Sequence, residues 1–223
     1  MKSIILSVGL TAVSAMGVNA ATIAAFTSVA SEGALSAETL GTGVASAEIS
    51  RGSGLTARLG SSLTFNSNNW SIGGSQADAS AAGDFLSWDF VSSVGYDLTS
   101  LAFGYDRSAT GPVSIALDII LRDDFTNEIT SQEQIFADVS VASNSTETAF
   151  IDLSAFDAIT NAEFRLFGWG ATGSSGTFDI ENRASLGTNG IVISGEVSAV
   201  PLPASLPLLA GAFGLLAWGR RRA

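Results

Sequence analysis

Within FRLFGWGATGSSGTFDIEN, residues 164–182, Arg165 and Trp169 precede a glycine-rich loop, and Asp179 and Asn182 follow it. An aromatic face exposed on a loop can stack on a sugar ring, while Arg, Asp and Asn side chains bond its hydroxyls. These four residues form a candidate ligand-binding set. A plainer use competes with it: Trp169, between Gly168 and Gly170, can simply cap the edge of a β-sandwich, and the flanking glycines favour that use. Oxygen donors gather at Asp106, Asp123 and Asp124, with Asn127 and Glu128 nearby, and would suit calcium. They lack EF-hand spacing or a repeated Gly-Asp pattern, and solvated acidic turns explain them more simply.

Catalysis finds little support. A glycosidase needs two carboxyl groups facing one another across a cleft. Asp123 and Asp124 are adjacent, so in extended backbone they point to opposite faces. The chain contains neither His nor Cys. Ser–His and Cys–His machinery, thiolate metal sites and disulfides are therefore excluded. The chain does not read as an enzyme, and calcium is the one cofactor candidate.

The elements that would position these residues are strands. VSIALDIILRDD sets Val113, Ile115, Leu117, Ile119 and Leu121 on one side and Ser114, Ala116, Asp118 and Arg122 mostly on the other. Period two of this kind marks a half-buried strand. FLSWDFV repeats it with Leu86, Trp88 and Phe90 inward, SLAFGYDR with Leu101, Phe103 and Tyr105, and EQIFADVSV with Ile135, Ala137, Val139 and Val141. EFRLFGW, GTFDIEN and NGIVISGEV follow, separated by turn clusters such as SATGP, DDFTNE and GTNG. Residues 22–52 show no clear period, and LSAFDAITN offers at most one helical turn. Eight or nine short strands at this spacing predict an all-β, antiparallel β-sandwich of jelly-roll kind, over residues 21–197.

The net charge is −11, from 10 basic and 21 acidic residues in a chain of 223. Setting aside Lys2, Arg220, Arg221 and Arg222 leaves six basic residues against 21 acidic ones, a balance of −15. Such a body repels phosphate backbones, so nucleic acid is not an expected partner.

The two ends read as addresses. Lys2, the apolar run SIILSVGLTAVSAMGV and the small residues after it form a secretory signal peptide over residues 1–20, cleaved between Ala20 and Ala21 by signal peptidase. At the other end, SLPLLAGAFGLLAWG carries no charge from Ser205 to Gly219. Its fifteen residues at ~1.5 Å rise reach only ~22 Å, short of a ~30 Å hydrocarbon core. The tail therefore reads as a hydrophobic helix forming a short or temporary membrane stop. The arginines stay on the cytoplasmic side and the body outside.

The segment from Val200 closely resembles the C-terminal sorting signal of PEP-CTERM proteins, in the variant with Val-Pro-Leu-Pro-Ala as its core. Val200, Pro201, Leu202, Pro203 and Ala204 are that motif, the apolar stretch follows, and Arg220, Arg221 and Arg222 form the basic stop. The resemblance covers the sorting signal alone, residues 198–223. It implies processing by an exosortase and passage to the cell surface or extracellular matrix of a Gram-negative bacterium, with transient anchoring in the inner membrane. It also implies a structural or adhesive role beside an exopolysaccharide. A carbohydrate-binding module or a calcium-dependent adhesin is the alternative for the body.

Overall fold

The computed structural model describes residues 20–27, 35–58, 64–183 and 188–199. The proposed signal peptide up to Asn19 and the sorting motif, apolar stretch and arginines from Val200 onward lie outside these residues. Strands β1 (Ala21–Phe26), β2 (Leu35–Ser36), β3 (Thr39–Leu40), β4 (Val44–Ser46), β5 (Glu48–Arg51), β6 (Thr56–Ala57), β7 (Thr64–Asn68) and β8 (Ser71–Ile72) precede a short helix, α1 (Gln76–Ala82). After it come β9 (Phe85–Arg107), β10 (Ser114–Arg122), β11 (Ile129–Asp138), β12 (Glu147–Asp152) and β13 (Ile159–Ala171). The last three are β14 (Phe178–Arg183), β15 (Thr188–Asn189) and β16 (Ile191–Val197).

FLSWDFV and SLAFGYDR, expected as two strands, are one strand of 23 residues, β9. It serves both layers of the sandwich. Its first half lies between β13 on one side and β5 and β4 on the other. Beyond a corner at residues 92–96, its second half lies between β12 on one side and β16 and β14 on the other. The first sheet therefore runs β11, β10, β13, β9, β5, β2, and the second runs β12, β9, β16, β1, β3, with β14, β7 and β6 continuing beside the end of β9. From β11 onward the chain alternates between sheets, to β12, back to β13, and over to β14. That alternation is the jelly-roll pattern, and apart from β8 beside β13 the named strand pairs are antiparallel.

Leu86, Trp88, Phe90, Leu101, Phe103, Tyr105, Ile115, Leu117 and Ile119 are all buried, as their alternation predicts. Trp88 stacks on Phe164 at 6.2 Å and meets Phe103, from the other half of β9, at 5.6 Å. Removing large apolar side chains of this kind from water is worth about 1.5–3 kcal/mol each, so this seam holds the layers together.

Three expectations need correction. Ala137 and Val139 do not face inward, whereas Ile135 packs against the core as expected. Leu117 is opposite Phe136 but Asp118 is opposite Gln134, so Ile135 is the extra residue of a bulge. One extra residue exchanges the sides of a strand. Phe136 then packs edge-on against Phe103 at 6.0 Å, Asp138 meets the Tyr105 hydroxyl, and Val139 is 73% exposed. Second, β10 is buried on both sides, because Ala116, Asp118 and Ile120 are covered as well. Third, the helix lies at 76–82, whereas LSAFDAITN turns at residues 154–158 and its last three residues begin β13. Ser75 and Asp78 make a reciprocal capping box and Gly83, at φ 77°, closes the helix in the left-handed region.

Candidate functional site

The side of the first sheet that faces away from the core is built by register. One cross-strand row reads Gln134, Asp118, Arg165, Ser87, Ser50, across β11, β10, β13, β9 and β5. The next reads Gln132, Ile120, Glu163, Asp89. Alternate residues of a strand share a face and paired residues share it across strands, so these side chains form one surface.

Glu163 is its centre. Its Oε2 accepts from Arg122 Nη2 at 2.5 Å and Arg122 Nε at 3.2 Å. Arg165 donates through Nε to Oε1 at 2.5 Å and through Nη2 to Oε2 at 3.1 Å. The three side chains are largely shielded, at 18%, 14% and 27% exposure for Arg122, Glu163 and Arg165. The Arg165 guanidinium also lies over the Phe85 ring, 4.9 Å from its centre. Charge-assisted, forked contacts of this kind fix geometry as well as adding energy.

Around this triad the other groups are fixed too. Asp118, 6% exposed, accepts from Gln76 Nε2 at 2.9 Å and Gln132 Nε2 at 2.7 Å, tying α1 and β11 to β10. The Ser50 and Ser87 hydroxyls are 2.9 Å apart. Asp89 accepts the Glu48 N–H at 3.0 Å. Burial, with Glu163 and Glu48 adding repulsion, pushes the Asp89 carboxyl above the usual range, against the opposing backbone bond and Arg122. Burial acts on Glu163 in the same direction, but the hydrogen bonds and charges of Arg165 and Arg122 together outweigh it and hold Glu163 below its ordinary value.

Two opposed carboxyl groups with pKa values pushed apart suggest an acid–base pair. Glu163, however, already receives four N–H donors, so its oxygens are committed to holding the arginines. What the face offers is a prearranged set of guanidinium donors, carboxylate acceptors and hydroxyls. A ligand dense in hydroxyl groups, each both donor and acceptor, is the chemical complement of such a set.

The structure divides the four residues first considered for ligand binding. Arg165 stands in the triad. Trp169 lies farther along the same strand, half-buried, opposite Ser114 and beside Ser71, where Gly170 at φ 76° interrupts the register. Asp179 belongs to β14, opposite Asp106 and Asn66. Asn182 follows on β14, opposite Asn189 of β15. Asp106 and Asp179, proposed for different roles, are thus cross-strand neighbours, and each has partners within the fold.

The calcium candidates separate as well. Asp106 lies near the end of β9 that reaches Val141 and Val113 through Arg107 and Val141. Asp123 is ten residues along from Val113, so Asp123 and Asp124 stand about 30 Å away at the rise of an extended strand. Asp123 Oδ1 accepts from Thr126 N at 2.8 Å, Phe125 N at 2.9 Å and Thr126 Oγ1 at 3.1 Å, and these bonds hold its carboxyl below the ordinary range. Asp124 accepts from Thr160 Oγ1 at 2.7 Å. Among the described residues no three His, Cys, Asp or Glu side chains converge as a metal site.

Glu163, Arg122, Asp118 and Asp89 were not singled out from sequence. Alternation puts 118 and 122 on one side of their stretch and 163 and 165 on one side of theirs. The missing knowledge is that β10 and β13 are neighbours, which no local pattern encodes.

No family model matches the chain, and no curated protein matches it. Among solved structures, the xylan-binding CBM22-1 domain of Paenibacillus barcinonensis Xyn10C is similar at 10% identity and a TM-score of 0.42, over 79% of this chain and 94% of that one. A family 29 carbohydrate-binding module of Piromyces equi is similar at 6% identity and a TM-score of 0.39, over 84% and 98%. The CBM22-1–GH10 modules of Clostridium thermocellum Xyn10B give 12% identity and a TM-score of 0.40, over 82% of this chain and 30% of that one. Likenesses at this level say nothing of what this chain binds.

Proposed function

We propose that this chain is an exported surface protein whose β-sandwich holds a neutral, hydroxyl-rich polysaccharide on the outer face of its first sheet. The observation that carries the binding reading is the Arg122–Glu163–Arg165 triad, with Asp89, Asp118, Ser50 and Ser87 beside it, held in place by hydrogen bonds within the fold. Side chains ordered in advance lose little further freedom on binding, which favours affinity for a polymer with many weak contacts. The two guanidiniums face three carboxyl groups, in a body whose balance is −15, so a polyanion is repelled and a neutral glycan is not.

Export and surface sorting rest on the ends of the sequence: the signal-peptide pattern before Ala21, and the resemblance of the tail to an exosortase signal. Together they give a surface protein that retains or organises extracellular polysaccharide, with an adhesive role and no assigned catalysis.

The binding reading is tested by isothermal titration of the isolated body against a panel of neutral and uronate-bearing polysaccharides. Glu163→Ala should abolish binding to any neutral ligand found, because both arginines lose their anchor. Unchanged affinity in that variant, or no neutral ligand at all, contradicts it. Intact-mass measurement of protein from its native host tests the sorting reading. Both ends should be trimmed, near Ala20 and within residues 200–204.

A further inference from the structure

Both hydrophobic ends of the sequence meet the folded body at one pole. β1 begins beside the place where β16 ends, with Ala21 opposite Gly195. The chain is pinned there. Ser198 N–H donates to the Gly95 carbonyl at 2.8 Å, and the Ser198 hydroxyl donates to the Asp97 carboxylate. Asp97 also accepts the Ala158 N–H at 2.9 Å. Only Ala199 separates Ser198 from the proline motif, and seven residues from Ser198 reach Ser205, where the uncharged stretch starts. Fully extended, seven residues span at most about 25 Å. The opposite pole lies eleven residues down β9, from Tyr96 to Arg107, or roughly 35 Å away at strand rise.

The same pole carries the β10–β11 hairpin. Ile159 is opposite Tyr96, and Thr160 bonds Asp124, which places residues 123–128 beside the 92–96 corner. At the tip stands Phe125, 97% exposed. Its backbone N–H and that of Thr126 are held by Asp123, so the ring projects from a fixed turn. Val197, at the end of β16, is also exposed. An aromatic ring in water with no apolar neighbour is costly, whereas the interfacial layer of a bilayer accommodates one readily.

We propose that this pole, made of the start of β1, the end of β16, the 92–96 corner and the β10–β11 hairpin, faces a lipid bilayer, with Phe125 entering its interfacial layer. This rests on the reading of residues 205–219 as a membrane stop. Asp97, Asp123 and Asp124 accept hydrogen bonds from their own chain and stay at headgroup level, so the fitting surface has zwitterionic rather than anionic lipid. In this orientation the strands of the first sheet run outward from the membrane, with Arg122, bonded to the Asn127 carbonyl of the hairpin, at their membrane-proximal end.

The absence of native cysteine makes the test direct. Phe125→Cys and Ser175→Cys, the latter exposed in the loop at the opposite pole, each receive a fluorophore in the full chain. The labelled proteins are reconstituted into phosphatidylcholine vesicles containing a headgroup quencher. The label at position 125 should be quenched severalfold more than that at 175. Equal or reversed quenching in chain that floats with the vesicles overturns the orientation while leaving the membrane stop intact. A full chain that does not float with vesicles overturns both.

Discussion

The outer faces of the two sheets are made by the same alternation around the same core, yet they differ in kind. On the first, Arg122, Glu163, Arg165, Asp89 and Asp118 bond to one another or to fixed neighbours. On the second, the corresponding rows read Phe150, Ala102, Val192, Ala25 and Asp152, Ser100, Ser194, Thr22. Apart from Asp152 these are uncharged side chains, with one exposed ring, Phe150 at 77% exposure. A fold needs only that an outer face be compatible with water, and the second face meets that requirement plainly. Clustering and ordering charged groups on the first adds desolvation cost that folding alone does not require, which is why the proposal puts glycan binding there.

Several substitutions would break or sharpen this contrast. Trp88→Ala acts on what both faces share and should cost the most, about 3–5 kcal/mol. Denaturant unfolding followed by near- and far-UV signals should stay a single transition. Separate melting of the two sheets would mean the faces belong to independent units. Glu163→Ala comes next. It leaves two partly buried guanidiniums without their acceptor, at a cost of about 1–3 kcal/mol, seen as a lower denaturant midpoint with an unchanged slope. Asp118→Ala should fall slightly below it, at about 1–2 kcal/mol, because Gln76 and Gln132 lose their shared acceptor.

The pH dependence separates the two central carboxyls by sign. Glu163 is held below its ordinary value in the fold, so its contribution is present above its unfolded pKa, near 4.3, and is lost as pH falls through the lower folded value. Asp89 is raised, so its effect is opposite: stability present below its unfolded pKa declines as pH rises through the folded one. Melting temperature followed across the acidic range should therefore show Asp89→Asn losing that decline and Glu163→Gln losing the acid-side drop. Matching profiles in the two variants would contradict the assigned electrostatics. The smallest effect belongs to the second face, where Phe150→Ser should change stability by no more than about 0.5 kcal/mol and leave glycan binding untouched.

The strands and core were legible because burial imposes a period of two that survives in a single sequence. Trp88, Phe103 and Leu117 are placed by it alone. Ala137 and Val139 defeated that reading because the bulge at Ile135 leaves no mark on the alternation beyond it until the partner strand is known. The helix was legible in principle, since Ser75, Asp78 and Gly83 are a capping box and a terminal glycine around alanines. The candidate site was half legible. Arg165 emerged from its own stretch, but Glu163, Arg122 and Asp89 come from three strands whose adjacency depends on a jelly-roll path. Asp179 and Asn182 followed Arg165 in sequence, yet the chain crosses to the other sheet between them.

Amide hydrogen exchange of the isolated body during titration with a bound neutral polysaccharide tests the central claim most directly. Protection should rise along β10, β13 and the first half of β9, around Asp118, Glu163, Arg165 and Ser87, with β12 and β16 unchanged. Protection confined to β12 and β16, or to the loop at residues 172–177, would contradict the assignment of the ligand to the first sheet.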